Sequence, residues 1–352
     1  MLEPVTLLRR NAGPPQRGLT QGVHSGVLQR RIWLRALALA DRFRVIRTLD
    51  VAATCFPERP FRAALAAAQR AVRGMVKAEL LRRYRTDRFQ TVYGLTAKGA
   101  DWLHLHGKEA TASVRRVSDM TNPEHRLWSQ FLVLCCEARG LVAHTEQELL
   151  VLLNAGAKAG DSAPNGLLCV TASTGQGTRR IALRPDAVAV EADGLSWFEV
   201  DRSARGADRA ASLRALVLSV GRRTQLDQPL RRVAVFTRTA RIQNRVVATL
   251  DSLAKESANF SLFEGRRILV QEAVGLYAVV QTVEEVLADG RTQLIDRAVG
   301  HVLVQELPIW LPRYRLDGRD GYGCDGWFEE NCLPYKRPAA LGSWPAPDSP
   351  LL

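Results

Sequence analysis

Three carboxylates in the middle of the chain have the spacing of a metal-binding hairpin. Asp186 lies in one run of alternating apolar residues, and Glu199 and Asp201 lie in the next. Asp193-Gly194 separates the two runs, and an Asp-Gly pair in that position predicts a β-hairpin with a two-residue turn. Counting outward from this turn pairs Asp186 with Asp201, with Cβ atoms about 5 Å apart, and places Glu199 on the same face.

Three negative charges on one face of a sheet need a counter-charge, because opposed like charges destabilise a strand pair. A divalent cation such as Mg²⁺ or Mn²⁺ would supply it, with oxygen ligands from the protein and from water. The alternative is an acidic stripe that faces solvent and pairs with Arg184 or Arg202. The spacing alone leaves both interpretations open.

The segments around these carboxylates are similar to those of a nuclease family. Pro185-Asp186 followed by Glu199-Val200-Asp201 resembles the core of PD-(D/E)XK nucleases, a mixed sheet with helices outside, whose hairpin presents Asp and Glu to Mg²⁺. Arg184 to Ala187 and Phe198 to Arg202 also resemble the replication-relaxation proteins of mobile elements. They are similar too to MobC-type relaxases, which join a winged helix to such a nuclease-like domain. The resemblance covers roughly residues 28–250.

The resemblance implies metal-assisted phosphodiester hydrolysis, with Asp186, Glu199 and Asp201 as metal-binding and catalytic residues. Asp201 departs from the family, which usually has a lysine there to position water and offset charge in the transition state. An acidic residue could bind a second cation, or the site could be inactive. Glu146 is a candidate for the upstream helical carboxylate of such a core. The arginines that could replace the missing lysine, or simply be solvated, are Arg205, Arg209 and Arg214.

The net charge of +13 lies in the first third of the 352-residue chain. Residues 1–120 contain 22 Lys and Arg against 9 Asp and Glu, whereas the remaining residues contain 27 of each kind. A basic region joined to a neutral one is typical of a polyanion-binding module on a different partner domain. We therefore expect DNA as the partner, with a membrane surface as the alternative.

Residues 27–107 show the element order of a winged helix-turn-helix domain. The spacing predicts a helix from Val27 to Phe43, a short helix from Thr48, a third helix from Pro60, two strands around an Arg-rich tip and a last short helix. Tyr93 to Gly99 resembles the Y-x-L-T-x-K-G stretch that closes the wing in many bacterial winged-helix proteins. The third helix would meet the major groove and the hairpin the phosphates, although a solvated helix is the alternative. The predicted DNA-binding residues are Arg62, Gln69, Arg73, Lys77, Arg82, Arg83, Arg85 and Arg88.

The predicted fold class is α+β, with a winged helix-turn-helix followed by a restriction-endonuclease-like α/β domain that has a mixed central sheet. We expect a flexible basic arm at 1–26, a linker at 108–121 and the nuclease-like domain at 122–300. The small and polar residues of 155–178 predict mostly loop. The aromatic-rich strap and tail at 301–352 would fasten to the second domain or stack on single-stranded bases, with its last dozen residues disordered.

Several function classes are disfavoured by the sequence. The N-terminus has no apolar signal-peptide core, no segment is apolar enough to span a membrane, and the cysteines form no CxxC pair, which favours a reduced cytoplasm. His104-Leu105-His106 matches the His-hydrophobe-His motif of tyrosine-dependent relaxases. It continues a predicted helix, however, so the two imidazoles would point about 200° apart and could not share a metal ion.

The leading hypothesis is a cytoplasmic DNA-binding protein of a mobile genetic element that nicks DNA in element transfer or replication. The winged helix would find the site, and the carboxylates would cut nearby with Mg²⁺ or Mn²⁺. The alternative is a non-catalytic accessory factor or transcriptional repressor with a degenerate nuclease domain. A second copy of the chain, or other DNA-processing proteins of the element, are the further partners expected.

Overall fold

A computed structural model describes most of the chain, namely residues 23–85, 91–112, 123–155, 166–174, 177–201, 207–258, 267–288, 290–307, 327–330 and 332–351. Within these ranges the protein is α+β, with a seven-stranded mixed sheet and helices on both faces, which confirms the predicted class at that level. None of the helices in the same ranges combines the length and apolar character of a membrane span.

The N-terminal elements follow the predicted order closely. They are α1 (Ser25–Phe43), α2 (Thr48–Cys55), α3 (Phe61–Lys77), β1 (Leu81–Arg85), β2 (Thr91–Leu95) and α4 (Ala97–Leu105). The apolar stripe of α1 is buried as far as Phe43. Asp50 in the first turn of α2 accepts the backbone N–H of Arg47 at 2.7 Å, which caps that helix. Pro60 is the N-cap of α3, as the sequence predicts to within one residue.

A mixed sheet organises the rest of the chain. Its elements and the surrounding ones are α5 (Pro123–Ala138), β3 (Val142–Thr145), α6 (Glu146–Asn154), β4 (Leu168–Thr174), β5 (Gly177–Leu183), β6 (Ala187–Glu191), β7 (Gly194–Asp201), α7 (Ala207–Val217), β8 (Leu230–Thr237), α8 (Ala240–Ala258), β9 (Arg267–Ala273), β10 (Leu276–Val286) and β11 (Thr292–Glu306). The strand order is β3-β6-β7-β8-β11-β10-β9. The pairs β7–β8 and β8–β11 are parallel, and the other pairs are antiparallel.

Two segments differ from the sequence-based expectation. Part of the predicted loop at 155–178 is strand, because β4 and β5 form a separate two-stranded sheet. The apolar residues Leu168 and Val170 of β4 are buried against Leu213 of α7, and this packing selects strands despite the many small polar residues. In addition, β11 continues past residue 300, so the segment from 301 to 306 belongs to the central sheet.

The β6–β7 hairpin forms, but its register differs by two residues from the predicted one. Glu191 pairs with Gly194, so Ala192 and Asp193 form the turn. Gly194 is the first residue of β7, with φ 140°, and a Cβ atom there would lie 2.4 Å from the carbonyl oxygen of Pro229. The close approach of the two backbones and the positive φ both require this glycine. A shift of two residues leaves every side chain on its predicted face.

The N-terminal elements and the sheet share an apolar core. Phe131 of α5 and Phe198 of β7 belong to the same buried cluster as Leu37 of α1, whereas the opposite face of the sheet packs Trp197 against Leu250 of α8. The two predicted domains therefore pack directly on one another.

A buried ion pair also joins α2 to α5. Arg47 donates through Nη2 to Asp50 at 2.7 Å and to the carbonyl oxygen of Leu127 at 2.9 Å. Gln130 of α5 donates to Asp50 at 3.2 Å. Arg47 and Asp50 are almost completely buried, so these polar groups depend on one another for their hydrogen bonds.

The C-terminal segment packs on both regions. Trp327 lies in a single helical turn, with its ring 5.0 Å from that of Phe61 in α3 and 6.4 Å from that of Phe131 in α5. Leu351 is buried, and its carbonyl oxygen accepts a hydrogen bond from Arg31 at 2.5 Å. The expectation of a disordered tail was wrong, because its apolar and carbonyl groups find partners on the helices. The predicted aromatic residues outside the described part are Trp310, Tyr314 and Tyr322.

Candidate functional site

A cationic face on α3 is the first candidate site. Arg62, Gln69, Arg73 and Lys77 are all exposed, and helical geometry places them within an arc of about 60° to 80°. Arg70, which the sequence analysis did not include, is exposed in the same arc. The helix contains no acidic residue, and its opposite face is buried in the core. We call this surface the basic face.

The β1–β2 hairpin continues the cationic surface next to α3. Arg82, Arg83 and Arg85 are exposed on β1. Arg83 donates to Thr91 of β2 at 3.4 Å, and the Arg82 guanidinium lies 5.7 Å from the ring centre of Tyr84. Arg88, at the predicted tip, lies outside the described residues. The predicted DNA-binding residues that the structure describes are thus solvent-accessible.

The residues that resemble the wing-closing motif have a structural role. Thr96 donates through Oγ1 to the carbonyl oxygen of Glu79 at 2.7 Å, and accepts the backbone N–H of Gly99 at 2.9 Å. Lys98 forms an ion pair with Glu79 at 3.0 Å. A Cβ atom at Gly99 would lie 2.3 Å from the carbonyl oxygen of Leu80, so only glycine fits there. The motif holds the start of α4 against the end of α3 and fixes the base of the hairpin.

Four carboxylates lie at one edge of the central sheet, which is the second candidate site. Glu146 follows β3, and its backbone N–H donates to the carbonyl oxygen of Asp186 at 3.3 Å. Ala187 pairs with Phe198, so the next residues outward, Asp186 and Glu199, are neighbours across the hairpin. The predicted pairing of Asp186 with Asp201 was wrong by two residues. We call Glu146, Asp186, Glu199 and Asp201 the carboxylate edge.

The carboxylate of Asp186 is held from two sides. Oδ1 lies 2.8 Å from Nε2 of His125, in the first turn of α5, and Oδ2 accepts the backbone N–H of Val200 at 2.6 Å. His125 is not among the site residues predicted from the sequence. Only the packing of α5 on the sheet reveals the contact, because no local sequence pattern links two residues so far apart.

The other carboxylates have different environments. Glu199 accepts the indole N–H of Trp197 at 2.7 Å. Asp201 is 5% exposed and pairs in register with Thr237, whose buried Oγ1 has no hydrogen-bond partner among the described residues. Glu146 is half-exposed, with one oxygen 3.7 Å from the guanidinium of Arg184. Across the described ranges, no three His, Cys, Asp or Glu side chains converge closely enough to enclose a metal ion.

Of the cations proposed to replace the missing lysine, Arg214 binds a carboxylate outside the candidate site. Arg214 of α7 forms hydrogen bonds with Glu256 of α8 at 2.7 Å, and these lower the pKa of Glu256 to about 2. Arg209 is exposed on α7, and Arg205 lies outside the described residues. Arg184 lies at the edge beside Glu146, and Arg238 follows β8 with its Nε 3.8 Å from the buried Oε1 of Glu124.

The hairpin and the carboxylate edge are neighbours. Leu127 of α5 is buried with Val92 of β2 and contacts Tyr84 of β1. Leu127 is two residues beyond His125, which binds Asp186. The N-terminal turns of α5 therefore connect the arginine-bearing hairpin directly to the carboxylates.

A buried polar network at the opposite end of β6 and β7 has a structural role. Arg232 of β8 donates to Glu191 at 3.0 Å and to Asp193 at 2.8 Å. The hydrogen bonds from Arg232 lower the pKa of Asp193. Tyr335 and Arg337 of the C-terminal segment also donate to Glu191, at 2.5 Å and 3.3 Å. This network fastens the C-terminal segment to the sheet.

Comparison with known proteins identifies no relative of this chain. No protein-family model, curated protein or solved structure matches it. The function is therefore argued from the two candidate sites.

Proposed function

We propose that this chain is a DNA-binding protein that holds duplex DNA on α3 and the β1–β2 hairpin. The observation that carries the proposal is the basic face, where cationic and amide side chains cluster on a helix without acidic residues. The order of α1 to α4 with β1 and β2 is the one expected of a winged helix-turn-helix, in which such a helix enters the major groove. The neighbouring arginines would bind phosphates.

Charge removal on α3 tests the proposal. Replacing Arg73 and Lys77 together by alanine should weaken binding to a labelled duplex by about 10-fold or more, since each lost contact costs about 1–3 kcal/mol. The slope of log affinity against log salt should fall by about 1 for each lost phosphate contact. Arg223→Ala removes one exposed charge far along the chain and should change neither quantity. Unchanged affinity in the double variant would contradict the proposal.

A second function, metal-dependent DNA endonuclease activity, is favoured by one specific observation. The carboxylate edge places Glu146, Asp186 and Glu199 at the adjacent ends of β3, β6 and β7, beside the hairpin proposed to bind DNA. A mixed sheet whose hairpin carries Asp and Glu, with helices outside, is the arrangement that the PD-(D/E)XK resemblance implies. We propose that DNA bound at the hairpin is nicked at this edge.

The side chains at the carboxylate edge suit a hard divalent cation in chemical type. Carboxylate oxygens are the ligands that Mg²⁺ and Mn²⁺ prefer, and the buried hydroxyl of Thr237 beside Asp201 is a further oxygen without a partner in the described ranges. Asp186, Glu199 and Asp201 would hold the ion, with Glu146 as an additional ligand. A bound ion would lower the pKa of a coordinated water and stabilise charge on the phosphate oxygens. The chain itself contributes the orientation of Asp186, through His125 and Val200.

Metal binding can be measured without DNA. Calorimetric titration with Mn²⁺ should give a binding isotherm for the wild type and a loss of affinity for Glu199→Gln, which keeps the size of the side chain. Glu284→Gln, an exposed change on β10, should bind Mn²⁺ as the wild type does. Equal affinity in all three proteins would contradict a metal site at the carboxylate edge.

Nicking of supercoiled DNA in Mg²⁺ or Mn²⁺, compared with chelated samples, distinguishes the enzyme from the alternative. Activity that is lost in Glu199→Gln, with DNA binding intact, would establish an endonuclease at this edge. Binding without cleavage would favour a non-catalytic accessory factor or repressor. In either case we propose that the protein acts in the cytoplasm on the DNA of a mobile element, in transfer or replication. Its further partners would be a second copy or other DNA-processing proteins of that element.

A further inference from the structure

Arg238 lies beside Asp201, the position at which the resembling nucleases carry lysine. Thr237, the last residue of β8, pairs with Asp201 at the end of β7. The backbone N–H of Arg238 donates to the carbonyl oxygen of Asp201 at 3.1 Å. Strand pairing therefore places a cationic residue next to the acidic residue that stands in place of lysine.

The guanidinium of Arg238 has donors available to a ligand. Its side chain is 27% exposed, and Nε lies 3.8 Å from Oε1 of Glu124, which is an ion-pair distance rather than a hydrogen bond. The side chain donates no hydrogen bond to any of the described residues. A guanidinium with free donors is suited to bind a phosphate through two parallel hydrogen bonds.

The first turn of α5 contacts both Arg238 and Asp186. Glu124 interacts with Arg238 after β8, and the next residue, His125, contacts Asp186 before β6. Since β7 lies between β6 and β8, this turn spans the end of β7. A phosphate bound above Glu199 and Asp201 would therefore lie between Asp186 and Arg238.

We propose that Arg238 binds a phosphate of the DNA at the carboxylate edge and supplies the positive charge that lysine supplies in the resembling nucleases. The inference rests on the proposed endonuclease function. In hydrolysis a water oxygen bonds to phosphorus, the bond from phosphorus to the leaving sugar oxygen breaks, the water loses a proton to solvent and the leaving oxygen takes one up. Negative charge grows on the non-bridging oxygens, where the guanidinium stabilises it.

Arg238→Gln is the direct test, with two measurements on the full chain. The rate of nicking in Mg²⁺ should fall by about 100-fold, as for loss of one charge-stabilising donor in other active sites. The salt-dependence slope of DNA affinity, measured in Ca²⁺, should fall by about 1. Arg238→Lys should keep the slope. Arg245→Gln is the matched control, because Arg245 is exposed on the second turn of α8, and it should change neither quantity.

A double variant keeps the test valid if Arg238→Gln leaves the buried Glu124 without a counter-charge and unfolds. Glu124→Gln with Arg238→Gln removes both charges and should show the same losses as Arg238→Gln. Wild-type rate and slope in the double variant would overturn the proposal. If the wild-type protein cuts no DNA, the endonuclease proposal fails. The salt-dependence slope of DNA affinity then decides by itself whether Arg238 contacts a phosphate. An unchanged slope in Arg238→Gln refutes the contact, and a lower slope supports it.

Discussion

His125 and Asp186 are 61 residues apart in the chain, yet Nε2 of His125 lies 2.8 Å from Oδ1 of Asp186. The second oxygen of Asp186 accepts the backbone N–H of Val200 at 2.6 Å. The carboxylate is thus fixed between α5 and β7, and it joins the helix to the sheet at the edge where the other carboxylates lie.

Removal of this carboxylate should destabilise the fold. Asp186→Ala leaves the N–H of Val200 and the imidazole of His125 without their acceptor, and should lower the free energy of unfolding by about 1–3 kcal/mol. Urea denaturation followed by circular dichroism measures the change. Asp186→Asn retains an acceptor oxygen and should lose less. Equal stability of the alanine variant and the wild type would show that the contacts of Asp186 do not stabilise the fold.

Gly99→Ala should destabilise the base of the hairpin. The added Cβ would lie 2.3 Å from a backbone carbonyl oxygen of Leu80, which cannot move without displacing β1, so we expect a loss of about 1–3 kcal/mol. Thermal unfolding measures it. Gly26→Ala is the matched control, since its nearest neighbour would be a flexible His24 side chain at 3.5 Å. A Gly99→Ala protein with the same melting temperature as the wild type would refute the close packing at this position.

The buried ion pair at the start of α2 should be costly to break. Asp50→Ala leaves the buried guanidinium of Arg47 without its carboxylate, and should lower the free energy of unfolding by about 3–5 kcal/mol. Glu285→Ala, which removes an exposed partner of Arg297, should cost at most about 1 kcal/mol. Similar losses in the two variants, measured by denaturant titration, would argue against a buried pair.

The stability of the protein should depend on pH because of the carboxylate of Asp193. Hydrogen bonds from Arg232 lower the pKa of Asp193 in the folded state. The Asp193 carboxylate therefore stabilises the fold at pH values above the pKa of an unfolded aspartate, near 4. This contribution is lost as the pH falls through the lower pKa of the folded state. The melting temperature of the wild type should therefore fall more steeply with acid than that of Asp193→Asn. Asp296→Asn, an exposed change on β11, serves as control. Parallel acid profiles for the wild type and Asp193→Asn would contradict the assignment.

The elements with a strong apolar period were predicted well from the sequence. The stripe of α1 and the two-sided pattern of α3 each specify a buried face, and the structure buries those faces. The alternation around Asp193-Gly194 predicted the hairpin. Local pattern could not give the register, because the backbone of Gly194 also lies against the distant Pro229.

Contacts between distant segments explain the remaining differences. The strands β4 and β5 depend on packing against the apolar cluster under α7, and a run of small polar residues does not predict that packing. His125 and Arg238 acquire their positions only when α5 crosses the end of β7. The ordered tail likewise depends on carbonyl groups that meet Arg31 and Arg139.

The packing of Trp327 on Phe61 has a consequence for synthesis on the ribosome. The core beneath α3 includes an aromatic ring that is translated only after the entire central sheet, and Arg31 meets Leu351 across 320 residues. A nascent chain from which only α1 to α4 have left the ribosome therefore lacks part of the core beneath its basic face. The surface proposed to bind DNA reaches its final support only after Trp327 and Leu351 have been synthesised.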